Sequence, residues 1–274
     1  MRTIFNEEEK KLLSNLQQII KFGRNQIQGK KIDLEKVSPK KGMLFMTFGV
    51  VHNYTEAIYV LCEGIRPEPA IILLRSIFEA WINTFFLSSI KSEKRLALFY
   101  MEDARNKVAL ANGLLSFIKK YPSQENKDSL TTKSNLDNVR IENENIMRKI
   151  KKRYKLRRDD KWPTLLQRAR DCDKKRPIKS RKGDFEYNYH ILYRFFSPYA
   201  HLDARGLNNF LKQRMEGGYD LNIGQSADLI KQVLASAFAF YLSFLQYMKK
   251  KGFLPKNTKL KGFEEIIKQI SKKK

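Results

Sequence analysis

The segment from Ala70 to Ile90 (AIILLRSIFEAWINTFFLSSI) is apolar on nearly every side. A helix of that kind is stable only where other helices enclose it. It is therefore expected at the centre of a bundle. Its length would also suit a bilayer, but Arg75 and Glu79 lie in its middle, and each would cost a few kcal/mol at a bilayer centre. Burial in protein is the cheaper solution, so no transmembrane segment is expected.

The rest of the chain supplies the enclosing helices. Leu12, Leu13, Leu16, Ile19, Ile20 and Phe22 repeat with helical spacing over residues 6–26. A second helix is expected over 42–63, closed by Gly64. Further helices are expected over 92–120, 138–158, 187–196, 228–251 and 263–270, with a short one led by Trp162-Pro163. Eight prolines and thirteen glycines in 274 residues leave room for long helices, and no strict apolar/polar alternation marks a strand. The fold class is all-α, a multi-helix bundle in one domain over 1–274. The only cysteines are Cys62 and Cys172, and the residues after Met1 lack the apolar core of a signal peptide. These features point to a reducing cytoplasm. Two thiols and three histidines, with no CxxC or HExxH spacing, give no reason to expect a metal or cofactor.

The formal charge of +25 is unevenly placed. Residues 148–182 carry 17 basic and 4 acidic side chains, and residues 249–274 carry 10 and 2. The other 213 residues hold a surplus of only +4. Segregation of this kind is the footprint of a polyanion ligand. Solvated helix faces or an anionic membrane would account for the same charges, but the clustering favours nucleic acid. The candidate contacts are Lys151, Lys152, Arg153, Arg157, Arg158, Lys174, Lys175, Arg176, Arg181 and Lys182.

Two constellations could carry chemistry. Arg75, Glu79 and Asn83 share one face of the apolar helix at i, i+4 and i+8. His52, Glu56, Tyr59 and Glu63 on the preceding helix have a similar spacing and could face them. That face is either an internal ion-pair lock or a polar cavity in which Arg75 holds a phosphate. The other constellation is Tyr193-Arg194-Phe195-Phe196-Ser197-Pro198-Tyr199-Ala200-His201. Ser197-Pro198 reads as a helix start, which puts His201 in a first turn whose amides and dipole favour a phosphate. His190 lies one turn before Arg194, either as a further member of the site or as a core residue. The surrounding tyrosines and phenylalanines, Tyr187 among them, fit core packing better than base stacking.

The Arg194…His201 pair resembles the motif of the HEPN superfamily of helical RNase and nucleotide-binding domains. Phe195 and Pro198 depart from its usual pattern. The resemblance implies a HEPN-like core with additional helices and a homodimer. It also implies metal-independent cleavage of RNA by attack of the 2′-hydroxyl, with Arg194 and His201 as catalytic residues, in a toxin or anti-phage setting. Arg75, Glu79 and His190 would support the site or bind phosphate. A wider resemblance, over about 67–201, rests on LLRSIFEAWIN, KWPTLLQRA and YRFFSPYAH. These segments look like a helical prokaryotic family of unknown function, marked by Arg75, Glu79, Trp162, Ser197 and His201. It leaves the basic C-terminal segment outside. Two other functions suit the same residues: a non-catalytic module for nucleic acid or protein, and a sensor of a nucleotide or other small anion.

Overall fold

The computed structural model describes residues 5–29, 33, 36–88, 93–121, 132–157, 159–174, 184–195, 211–213, 219–221 and 227–272. They are almost wholly helical, as the apolar periodicity requires. The chain divides into two compact units, Met1–Phe86 with Leu165–Lys274, and Leu87–Thr164.

In the first unit, α1 (Glu7–Ile27) starts with a reciprocal cap. The Asn6 side chain accepts from the Glu9 amide at 2.9 Å, and the Glu9 carboxylate accepts from the Asn6 amide at 2.9 Å. Its Leu12, Leu16, Ile19 and Ile20 are buried. α2 (Pro39–Glu63) follows, with proline in its first turn, and then α3 (Pro67–Ser88). The unit continues with α6 (Leu165–Lys174), α7 (Asp184–Asn188), a π-helical turn (Tyr189–Phe195), α8 (Ala227–Lys250) and α9 (Lys261–Lys272).

The centrality expected of α3 is met by its aromatic seam with α8. Phe78 lies 5.6 Å from Phe240, and Trp81 lies 5.5 Å from Tyr247 between ring centroids. Phe185 of α7 closes on Trp81 at 4.9 Å. Ile71, Leu74, Ile77 and Phe78 are fully enclosed, and each such burial contributes about 2 kcal/mol. By length and composition α3 and the Leu229–Lys250 part of α8 could cross a membrane. Both also supply core side chains here. α8 packs as well on α1 and α2, with Phe48 and Phe244 6.0 Å apart. α9 is fastened by Phe263, which touches Phe22 and Phe238.

In the second unit α4 (Glu93–Lys120) pairs along its length with α5 (Lys133–Tyr154). Thr132 caps α5 by accepting from the Asn135 amide at 3.2 Å. Trp162 packs 5.3 Å from Phe99, and Lys94 pairs with Asp160 at 2.9 Å.

α2 ends at Glu63 with Gly64 as its cap, where closure is expected; Gly64 has φ −79°, and the left-handed residue is the next one, Ile65 at φ 57°. The Arg66 and Ile65 amides reach back to the Leu61 and Cys62 carbonyls, the two bonds of a Schellman closure, with isoleucine where glycine is usual. The helix expected over 187–196 is α7 running into a π-helical turn. A short antiparallel ladder also occurs: β1 (Leu211–Gln213) pairs with β2 (Tyr219–Leu221), Lys212 opposite Asp220. Three-residue strands are too short to show the alternation that reveals longer ones.

Candidate functional site

Arg75, Glu79 and Asn83 lie half-buried on α3. The α2 residues expected to face them turn elsewhere. Nδ1 of His52 meets the Tyr241 hydroxyl of α8 at 2.5 Å. Glu56 accepts from Arg24 of α1, and the Tyr59 hydroxyl donates to Glu63 at 2.7 Å while accepting from Gln17 of α1. The side of α2 that carries these groups serves its contacts with α1 and α8.

Glu79 instead faces α6. Its carboxylate lies 3.7 Å from the Arg168 guanidinium, whose side chain is 6% exposed. Arg168 sits on the buried stripe Leu165, Arg168, Ala169, Cys172. An arginine at the core position of an amphipathic helix was the legible signal, because a buried cation requires an anionic or hydrogen-bonding partner. The Cys172 thiol, 3.9 Å from the Ile82 carbonyl, fixes the same helix to α3. Cys62 is equally buried, and desolvation pushes its thiol up to about 12. Both thiols are buried in the core.

α6 also organises the next segment. Asp173 accepts from the Phe185 and Glu186 amides at 3.0 and 2.9 Å, a cap delivered from a neighbouring helix to the start of α7. Glu186 then accepts from Arg170 Nε at 2.7 Å and stands 3.9 Å from His190 Nε2. The imidazole is half-exposed rather than a core residue. A carboxylate beside an accessible imidazole can orient the ring. Arg194 lies in the same π-helical turn; such turns are frequent at functional sites. The structure describes only its backbone, and His201 lies outside the described residues. Tyr187, expected in the core, is 66% exposed, because α7 commits Phe185 rather than Tyr187 to the core.

The basic block from 148 to 182 falls on both units. In the second, Lys151, Lys152 and Arg153 form the exposed last turn of α5. The left-handed Lys155 ends that helix, and exposed Arg157 follows, 3.8 Å from Asp159. In the first, Lys174 ends α6, exposed and 3.8 Å from Asp171. Arg158, Lys175, Arg176, Arg181 and Lys182 lie outside the described residues. Among the described residues no three His, Cys, Asp or Glu side chains come together as metal ligands.

No curated protein and no solved structure matches the chain. A family model does, over residues 41–219. The match spans α2 to the hairpin strand β2, a wider stretch than the motifs of the resemblance, and it excludes the C-terminal basic segment. The chain belongs to this family, described as a family of unknown function (DUF5677).

Proposed function

We propose that the chain is an RNA-binding protein with a HEPN-like core, acting as a homodimer. The observation that supports this best is the last turn of α5. Lys151, Lys152 and Arg153 are all exposed there, and among the described residues none of them forms an ion pair. Cations at a helix C-terminus do offset the dipole. One or two suffice for that, whereas a run continuing through Lys155 and Arg157 presents charge to a ligand. Exposed Leu110, Phe117, Ile141 and Ile146 on α4 and α5 offer apolar surface of the kind a dimer covers. The combined variant Lys151→Gln, Lys152→Gln, Arg153→Gln should weaken RNA binding at physiological salt at least tenfold. An unchanged affinity would move the function to the sensor or protein-docking alternatives.

A second reading, metal-independent cleavage, is favoured by the π-helical turn that carries His190 and Arg194 next to the Glu186–Arg170 pair. In it His201 takes the proton of the 2′-hydroxyl, and the oxygen attacks the adjacent phosphorus. The 5′-oxygen leaves with a proton from solvent or His190, and Arg194 stabilises the phosphorane charge. The products are a 2′,3′-cyclic phosphate and a 5′-hydroxyl. Toxin or anti-phage action follows from this reading by analogy with the superfamily alone.

A further inference from the structure

A cleft of about 910 Å³ opens where α8 ends and α9 begins. Its size lies within the range of small-ligand sites, about 300–1,000 Å³. Five lysines line it: Lys249 and Lys250 from α8, Lys256 and Lys259 from the connector, and Lys261 from the first turn of α9. The one carboxylate there, Glu264, accepts from Gln246 at 2.9 Å. Among the described residues none of the five lysines is ion-paired.

Local structure explains part of this charge and leaves the rest. Gly252, at φ 78°, closes α8, with the Phe253 and Gly252 amides returning to the Met248 and Lys249 carbonyls. Lys249 and Lys250 suit the negative end of that helix. Lys249 is further held by donating to the Thr258 carbonyl at 2.7 Å. Lys259 and Lys261 have no such reason to be where they are. They stand at the N-terminus of a twelve-residue helix, where the positive end of the dipole adds to their charge. An arrangement that concentrates like charge in one cleft is unfavourable until an anion enters. Beside it, Thr258 is 8% exposed, and among the described residues its hydroxyl has no hydrogen-bond partner.

The lining also limits which anion fits. Among the described residues it contains no arginine and no aromatic ring, so these supply neither the planar fork that grips a single phosphate in two places nor a platform for a base. Lysines act on phosphate as point charges. A spread of point charges along a cleft suits a chain of phosphates better than one group.

We infer that the cleft between α8 and α9 binds the phosphodiester backbone of an RNA strand without reading its bases. This rests on the RNA-binding reading and assigns the C-terminal segment, which lies outside the family match, as a second, base-blind contact. The test uses the full chain with Lys250→Gln, Lys256→Gln, Lys259→Gln and Lys261→Gln combined. All four are exposed, so the circular dichroism spectrum and melting temperature should match the parent. The probes are fluorescein-labelled 20-nucleotide oligo-U and oligo-A, with tripolyphosphate as competitor. The four-lysine variant should lose tenfold to a hundredfold in affinity at about 0.15 M salt, equally for both oligomers. Its log–log salt slope should be shallower by about 3, since each phosphate contact to a single strand contributes about 0.7. Parent-like affinity and slope in this variant, while the α5 variant is weakened, would overturn the cleft and leave the RNA-binding function standing. Unequal losses for U and A would overturn base-blind contact. Tripolyphosphate binding that depends on the four lysines, in a parent that binds neither oligomer, would overturn the RNA reading and reassign the cleft to a free polyanion.

Discussion

The Tyr241 hydroxyl, 2.5 Å from Nδ1 of His52, occupies space that only a glycine on α1 leaves open. A Cβ built on Gly23 would lie 1.9 Å from that oxygen. Three helices are thus keyed together at one point: α1 by an absent side chain, α2 by an imidazole and α8 by a phenol. Gly23→Ala should therefore destabilise the fold by about 2–3 kcal/mol, the cost of overpacking a dense interior, read from urea denaturation. Tyr241→Phe alone should cost roughly 1–3 kcal/mol by orphaning His52 Nδ1. It should also recover part of the Gly23→Ala loss in the double variant. Strict additivity would argue against the keyed packing.

The same histidine sets a pH dependence. Burial holds its pKa below the ordinary value of 6.5, partly opposed by the nearby Glu56 carboxylate and reinforced by Arg24. Above that value His52 is neutral folded or unfolded, and it contributes no pH dependence. As pH falls through it, the unfolded chain takes up a proton that the folded chain refuses, so stability drops by up to about 1.4 kcal/mol per pH unit. Denaturation midpoints measured between pH 7.5 and 5 should fall, and His52→Gln should flatten the decline. An equally steep decline in that variant would assign the effect to other groups.

At the end of α2, Ile65→Gly should stabilise the protein by roughly 1 kcal/mol, because a β-branched residue in left-handed conformation costs about that much. Gly64→Ala should shift stability by less than about 0.5 kcal/mol. The added Cβ would meet the Val60 carbonyl at an ordinary 3.4 Å. The opposite ranking would place the strain at Gly64.

If the chain cleaves RNA, it should do so in EDTA and leave 2′,3′-cyclic phosphate ends. Arg194→Ala and His201→Ala should each lower the rate at least a hundredfold, the usual scale for a general base or a charge-stabilising donor. RNA binding should persist in both. Undiminished cleavage in both variants would remove the site assignment.

The fold was more legible than the site. α3 declared itself because the apolar-rich run around Arg75 and Glu79 admits few surroundings, whereas some helix ends differ from the expectation: the helix expected over 138–158 runs Lys133–Tyr154, and the one expected to be led by Trp162-Pro163 starts at Leu165. Which way a polar face turns is a tertiary matter. His52, Glu56 and Tyr59 have helical spacing in common with Arg75 and Glu79, yet they bond to α1 and α8, while Glu79 finds Arg168 some ninety residues later. Gly64 marks the end of α2 as composition suggests, but the chain's path decides that Ile65 bears the left-handed turn. The lysines of the C-terminal cleft were visible as a charge block. Their convergence depended on the Gly252 closure and the course of the connector.

The most direct test of the RNA-binding claim is the affinity of the full chain for a 20-nucleotide single-stranded RNA, measured by fluorescence anisotropy from about 0.05 to 0.4 M salt. With the α5 turn and the C-terminal cleft both engaged, the logarithm of the association constant should fall with the logarithm of salt at a slope of about −4 or steeper, near −0.7 per phosphate contact. A slope shallower than about −1, or no binding at 0.05 M, would contradict it.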